Sequence, residues 1–264
     1  MQPRVAVFDI GCHGYTHKSP AELEKSEYDH EVKEAIEYLR ATFEGQKVLT
    51  FAAPYNTVSL TYLAYLDDYA ISCRIGTNGE QAYLGKGFDK YMVKAFGFSE
   101  NTNFNSIHSQ TEELVNQGGW VVYFFHTVTS GTPYEEVGTS KAVLDSHCKH
   151  LYDKYNGDVW FGSFQDVSIY AYQLENVKVT PTDLSGDTMV FNVNTTLDAD
   201  IYNIPMSIKF QVPSYTDSAY ALINGEKQET EIITEENGSK YIYVLDVPVN
   251  NSTVEICFDL AQNE

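Results

Sequence analysis

The hydrophobic pattern changes period near Asn176, and that change restricts the fold more than any other feature of the chain. Before it, short apolar runs alternate with segments of helical period. Strands are expected at about residues 5, 48, 70, 92, 120 and 158. From Ser19 to about Glu44, Tyr28, Val32, Ala35, Leu39 and Phe43 recur at three- and four-residue steps, with Glu and Lys on the opposite face and Gly45 as the stop. Further helices are expected at Val58 to Asp67, Gln110 to Asn116, Thr139 to Tyr155 and Ser163 to Leu174. Trp120-Val121-Val122-Tyr123-Phe124-Phe125 is the most apolar run, of the kind buried on both faces of a parallel sheet. Such alternation predicts β/α units and, with no obvious edge strand, a (β/α) barrel. After Asn176 helical periods vanish. Runs such as MVFNVNTT, MSIKFQVP, YIYVLDVPV and TVEICFDL follow, several separated by Asn224-Gly225, Asn237-Gly238 and Asn250-Asn251. These predict a C-terminal antiparallel β-sandwich. The expected division is therefore 1–176 and 177–264.

Charge narrows the partners. A net charge of −20 argues against nucleic acid, anionic membranes and polyanionic substrates, and suits a neutral or cationic polymer. No apolar run approaches the roughly 20 residues that span a bilayer. Cys12, Cys73, Cys148 and Cys257 lack the short spacings of a zinc ribbon or disulfide framework and are expected to be free. Cys12, beside His13, is expected to pack rather than ligate. Twenty tyrosines against two tryptophans fit a sugar-binding cleft, and equally fit strand positions. Met1-Gln2-Pro3-Arg4 leads straight into an expected strand at Val5 to Phe8. The expectation is a cytoplasmic protein if Met1 is the true start, and a secreted, periplasmic or cell-surface one if a leader has been removed.

Chemistry-bearing residues gather in Phe8-Asp9-Ile10-Gly11-Cys12-His13-Gly14-Tyr15-Thr16-His17. Two imidazoles four residues apart can share one face of a helical turn and point at one ion. By spacing alone they could equally be surface or capping histidines. The glutamate of the H-E-x-x-H metalloprotease helix is missing, because Gly14 holds its place. Ser19-Pro20-Ala21-Glu22 reads as the opening of the next helix. Three groups thus fall at strand C-termini, where β/α proteins place their sites: His13 with His17, Pro54-Tyr55, and His126.

Ile10 to His17 resembles the second motif of polysaccharide deacetylases (carbohydrate esterase family 4, the NodB homology domain), His-Ser/Thr-x-x-His, with Gly14 in place of Ser/Thr. KVLTFAAPYN is similar to the third motif, a strand ending on an Arg-x-Pro-Tyr/Phe-Gly turn. GWVVYFFHTV is similar to the strand carrying the last catalytic histidine, and DVWFGSFQDVSIYAYQ to the unit that closes the barrel. The resemblance covers roughly residues 8 to 174. It implies a distorted (β/α) barrel and metal-dependent hydrolysis of N- or O-acetyl groups on an acetylated polysaccharide or oligosaccharide. In that reading His13 and His17 ligate a divalent ion, most readily zinc, and His126 is the general acid. The backbone N–H of Tyr55, after Pro54, donates to the oxyanion.

Two departures qualify what the resemblance implies. The first motif, Thr-Phe-Asp-Asp-Gly, which supplies the base and the third ligand, has no room before the histidines. The barrel is therefore expected to lack its first strand, to expose sheet edges that invite a homodimer, and to be impaired in activity. Asp9 matches the acidic residue that precedes Ile-Gly-x-His and is carried as a weak candidate ligand. Ala52 stands where the family has the base-orienting arginine. Arg74 is a candidate substitute, or else a surface or ion-pairing residue. The remaining His30, His108, His147 and His150 are expected to lack partners. The alternative to an esterase is a carbohydrate-binding protein with a degenerate barrel.

Overall fold

Parallel pairing begins where the apolar runs lie. The computed structural model describes residues 8–76, 89–129 and 138–260. It divides into two units, Met1–Ser168 and Ile169–Glu264. In the first, β1 (Thr50–Ala52), β2 (Ser72–Gly76), β3 (Val93–Gly97) and β4 (Tyr123–Phe124) form one parallel sheet in the order β1-β2-β3-β4. Cys12 extends it by a single parallel bridge to Phe51. Its N–H donates to Thr50 O at 2.8 Å, and its carbonyl accepts from Ala52 N at 2.8 Å. A short parallel pair, β5 (Val128–Thr129) with β6 (Thr139–Ser140), lies apart from it.

Helices alternate with these strands. The first is composite, running through α1 (Lys25–Tyr28), a π-helical stretch (Asp29–Glu34) and α2 (Ala35–Thr42). Then come α3 (Leu60–Leu66), α4 (Phe104–Asn116), α5 (Lys141–Tyr155) and α6 (Phe164–Asn176). Tyr28, Val32, Ala35 and Ile36 share a core with Val48, Phe51, Leu66, Cys73 and Ile75. Burying side chains of this size contributes about 1.5–3 kcal/mol each, so the three- and four-residue spacing fixes which helix face meets the sheet. Among the described residues no helix is long and apolar enough to cross a membrane.

Several local expectations are corrected. Ser19-Pro20 opens only a 3-10 turn, Pro20–Glu22, and its serine makes no cap bond. Buried, extended Leu23 interrupts the chain, and the helix starts at Lys25 under a Glu24/Glu27 capping box. The segment 158–162 is not a strand. The Tyr155 carbonyl accepts from both Asp158 N (3.0 Å) and Val159 N (3.1 Å), which curls the backbone into a turn. Of the 120–125 run only Tyr123–Phe124 enters the ladder, although Trp120 and Val122 are buried. The expected strand at Val5 to Phe8 lies outside the described residues except for Phe8, which is exposed and irregular.

The second unit is antiparallel. One sheet has the order β11-β10-β14-β8-β7, from β7 (Lys178–Asp183), β8 (Thr188–Asn194), β10 (Thr216–Ile223), β11 (Glu226–Glu229) and β14 (Ser252–Leu260). The other has β9 (Met206–Val212), β12 (Ile233–Thr234) and β13 (Lys240–Val247) in the order β12-β13-β9. Alternate side chains of both sheets, among them Val193, Phe210, Ala221, Ile242, Val244 and Ile256, make one core. Asn224 (φ 51°) and Gly225 (φ 87°) turn β10 into β11, as an Asn-Gly hairpin requires. Gln173 is fully buried: its amide donates to Ile204 O at 2.7 Å and its Oε1 accepts from Ile204 N at 3.0 Å.

Candidate functional site

Polar residues follow the C-terminal ends of the parallel strands: Tyr55 and Asn56 come after β1 and His126 after β4. Cys12 sits in the sheet, so His13 is the first residue beyond it. Its Nδ1 lies 2.7 Å from Ala52 O. A carbonyl only accepts, so Nδ1 carries the proton and the neutral ring accepts through its Nε2 lone pair. That lone pair faces His17 Nε2 at 3.1 Å, with the rings edge to face. Partial desolvation holds the His13 imidazole below its ordinary pKa against the Ala52 carbonyl; the charges of His17, Arg74 and His126 lower it further.

The turn from Gly14 to Lys18 is fastened from below. Glu31, 2 % exposed on the π-helical stretch, receives Tyr15 N (3.1 Å), Thr16 N (2.9 Å), Lys18 N (3.4 Å) and the Thr16 hydroxyl. Burial pushes its carboxyl pKa up, but these donors outweigh burial and hold it below the usual value, so it is ionised at neutral pH. Gly14 has φ +88°, and a Cβ there would stand 3.1 Å from Glu31 Oε2. The sequence reading missed Glu31. The signal was present: it lies three residues after Tyr28 and four before Ala35, on the apolar face of the helix.

Past β1, Pro54 is buried and Tyr55 adopts φ +56°, two-thirds exposed, with its ring 4.8 Å from His17. Among the described residues no acceptor meets the Tyr55 N–H. Asn56, also left-handed (φ +58°), accepts through Oδ1 from Arg74 Nη1 (2.8 Å) and Gly76 N (2.9 Å). Asn tolerates that conformation better than most residues. Arg74, on β2, has its guanidinium carbon 4.3 Å above the Phe124 ring. Burial lowers its pKa, and no ion-pair partner is found for it among the described residues. His126, exposed two residues past β4, lies beside Phe124. Asp9 accepts from Gln165 Nε2 at 3.2 Å, and burial raises the Cys12 thiol to about 11, keeping it protonated.

The expectation that the remaining histidines lack partners is corrected. His30 pairs with Glu34 at 2.7 Å. His108 Nε2 meets His147 Nδ1 at 3.0 Å, and His108 stacks on His150 with ring centroids 3.7 Å apart. Helical spacing puts His147 and His150 on one face of α5, opposite α4.

The comparisons bear on the first strand and its turn. Residues 5–73 match the polysaccharide deacetylase family. The matched segment holds His13, His17, Pro54 and Tyr55; Arg74 and His126 lie beyond it. A gellan lyase from Bacillus sp. is 24 % identical over 275 aligned residues, covering 96 % of this chain and 11 % of that protein. The chain thus spans about a tenth of that relative's length. A family 39 glycoside hydrolase from the gut symbiont Bacteroides cellulosilyticus WH2 superimposes with a TM-score of 0.25 at 10 % identity, over 92 % of this chain and 57 % of that one. Endo-glycoceramidase II from Rhodococcus sp. gives 0.17 at 13 % identity, over 81 % and 44 %. Both superpositions are too loose to define a shared fold.

The chemistry of the donor set tests the metal that the family implies. Two nitrogens on one tetrahedral zinc, bound at about 2.0–2.1 Å, lie about 3.3 Å apart, close to the 3.1 Å between the two Nε2 atoms. The carbonyl on His13 Nδ1 is the kind of outer partner that orients a ligating imidazole. The pair fits as two neutral donors. Among the described residues no group of three His, Cys, Asp or Glu side chains is arranged to hold an ion.

Proposed function

We propose that the first unit is a carbohydrate deacetylase site of barrel type, in which His13 and His17 hold a divalent ion, zinc by preference. The observation that carries this reading is the opposed Nε2 pair, with His13 locked in the ligating tautomer by Ala52 O. The match of residues 5–73 to polysaccharide deacetylases supports a carbohydrate substrate. When bound, the ion would supply Lewis-acid polarisation of an acyl carbonyl.

The chain's own groups have the remaining roles. The Tyr55 N–H, offered by a left-handed turn at the strand end, stabilises negative charge on the acyl oxygen. His126 gives a proton to the departing amine or alkoxide. Arg74, held by Asn56 over Phe124, contributes fixed positive charge near His13. Tyr55 presents its ring for stacking on a sugar. The net charge of −20 favours a neutral or cationic acetylated polymer over an anionic one.

The test is zinc or cobalt binding, together with acetate release from acetylated chitooligosaccharide and acetylated xylan. Wild-type protein is expected to bind one ion and to release acetate slowly, because no carboxylate base stands beside the imidazole pair among the described residues. His13→Ala with His17→Ala should lose the ion, and His126→Ala should lower kcat by about 10²–10⁴. Unchanged metal content in the double histidine variant would refute the site. Oligosaccharide binding without acetate release, metal present, would favour a binding protein instead.

A further inference from the structure

We propose that Glu31 is the positioning residue that builds the His13/His17 pair, a role that rests on the metal reading above. His13 is held from within the sheet: its neighbour Cys12 is bridged to β1, and its Nδ1 is fixed by Ala52 O. Among the described residues no backbone carbonyl holds the His17 ring, which meets His13 and Tyr55. This histidine lies in a turn with two left-handed residues, Gly14 at φ +88° and His17 itself at φ +62°. A non-glycine residue is uncommon there and persists only when its surroundings impose it.

Glu31 imposes it. Three backbone donors of one short turn, from Tyr15, Thr16 and Lys18, converge on one carboxylate, and the Thr16 hydroxyl adds a fourth bond. N–H groups converging in this way form a nest that only an anion fills well. Here the anion is a buried side chain of the fold. The carboxylate reaches the turn from the π-helical stretch, and π-helical turns inside α-helices recur at functional sites. Gly14 leaves the space it needs. Lys18 also pairs with Glu27 at 3.1 Å, but both side chains are about half exposed, and such a pair restrains little. The separation of the two Nε2 atoms is therefore set on one side by Ala52 and on the other by Glu31.

Glu31→Gln keeps the shape and replaces half of the acceptor with an amide that opposes the N–H groups. Two readouts separate positioning from general support. In metal-free protein, ¹⁵N correlations of the imidazoles should show the paired Nε2 atoms and the Nδ1–H of His13. In the variant the pair signal is lost and the His13 Nδ1–H remains. Titrated with Zn(II) or Co(II), the variant binds about 10- to 100-fold more weakly. Thr16→Val removes one donor and gives a smaller loss; it decides the matter should Glu31→Gln fail to fold. An unchanged imidazole pair and unchanged zinc affinity in a folded variant would overturn the inference. If wild-type protein binds no zinc, the metal reading falls, and the imidazole spectra alone judge Glu31.

Discussion

The His108–His147–His150 cluster yields a pH dependence whose size follows from the structure. His147, 4 % exposed on α5, is ringed by Phe98, Phe104 and Tyr123 and touches His108. Its Nε2 and that of His150 are buried without a hydrogen-bond partner. Burial first, then the charges of His108 and His150, push its pKa from 6.5 down to about 4. Lys154, paired with Glu112 at 2.8 Å, adds to the lowering of His108. The folded state thus favours the neutral ring. Above the unfolded value both states are neutral and the stability is fully present. As pH falls below 6.5 the unfolded chain binds the proton first, and stability declines until the folded ring also titrates.

The full difference is about 3 kcal/mol at 1.36 kcal/mol per unit, of which about 2 kcal/mol is lost between about pH 7.5 and about pH 5. At a urea m-value of about 2 kcal/mol/M, that moves the midpoint down by about 1 M. Tryptophan fluorescence is the suitable probe, because both tryptophans, Trp120 and Trp160, lie in the first unit. His147→Phe keeps an aromatic side chain and removes the titration. At about pH 7.5 it should lie within about 1 kcal/mol of wild type, and its midpoint should fall less on acidification. The difference between the two proteins isolates His147 from the carboxylates. A variant whose midpoint falls in parallel with wild type would refute the argument.

Asn56→Ala should destabilise the first unit by about 1–2 kcal/mol, since it frees the Arg74 and Gly76 donors and leaves Ala in a left-handed turn; Asn56→Gly should lose less, and a urea midpoint equal to wild type in both would contradict the reading. Gln173→Leu orphans both polar groups of Ile204 and should cost about 2–4 kcal/mol, read by far-ultraviolet dichroism in urea; an unchanged transition would show that those bonds contribute nothing net. Residues 169–264 expressed alone should give dispersed amide resonances, because their core is drawn from their own two sheets; a collapsed spectrum would deny that independence.

How far the fold was legible depended on whether burial or local backbone chemistry decided the element. The stripe Tyr28, Val32, Ala35 marks a face that must be covered, and it is. The Asn-Gly pair at 224–225 makes its hairpin because glycine and asparagine reach positive φ cheaply. Where two rules competed, the pattern misled. Ser19-Pro20 has the composition of a helix start, yet burial of Leu23 in extended conformation delays the helix by one turn. Val159-Trp160-Phe161 has the apolar content of a strand, yet both aromatic rings are about half exposed and the carbonyl of Tyr155 closes a turn instead.

The site divides along the same line. His13, Tyr55 and His126 are singled out by the apolar runs before them and by motif resemblance. Tyr55 and His126 follow β1 and β4, and His13 follows the single bridge of Cys12, while the strand expected at Val5 to Phe8 lies outside the described residues except for Phe8. Glu31 lies outside the motif-like segments and Asn56 only closes one of them, KVLTFAAPYN; Glu31 accepts from the backbone of a neighbouring turn, and Asn56 from Gly76 N and the Arg74 guanidinium. Such residues are visible in a sequence only as violations: a charge on an apolar face, or a left-handed residue after a proline turn. Glu31 is a violation of this kind, because an unpaired carboxylate at that burial would cost several kcal/mol. Its presence on the Tyr28/Val32/Ala35 face requires donors nearby. The chain supplies them from Tyr15, Thr16 and Lys18, the segment that carries His17. A buried acid on the helix after a short His-x-x-x-His turn is therefore a legible sign that the turn is held in shape.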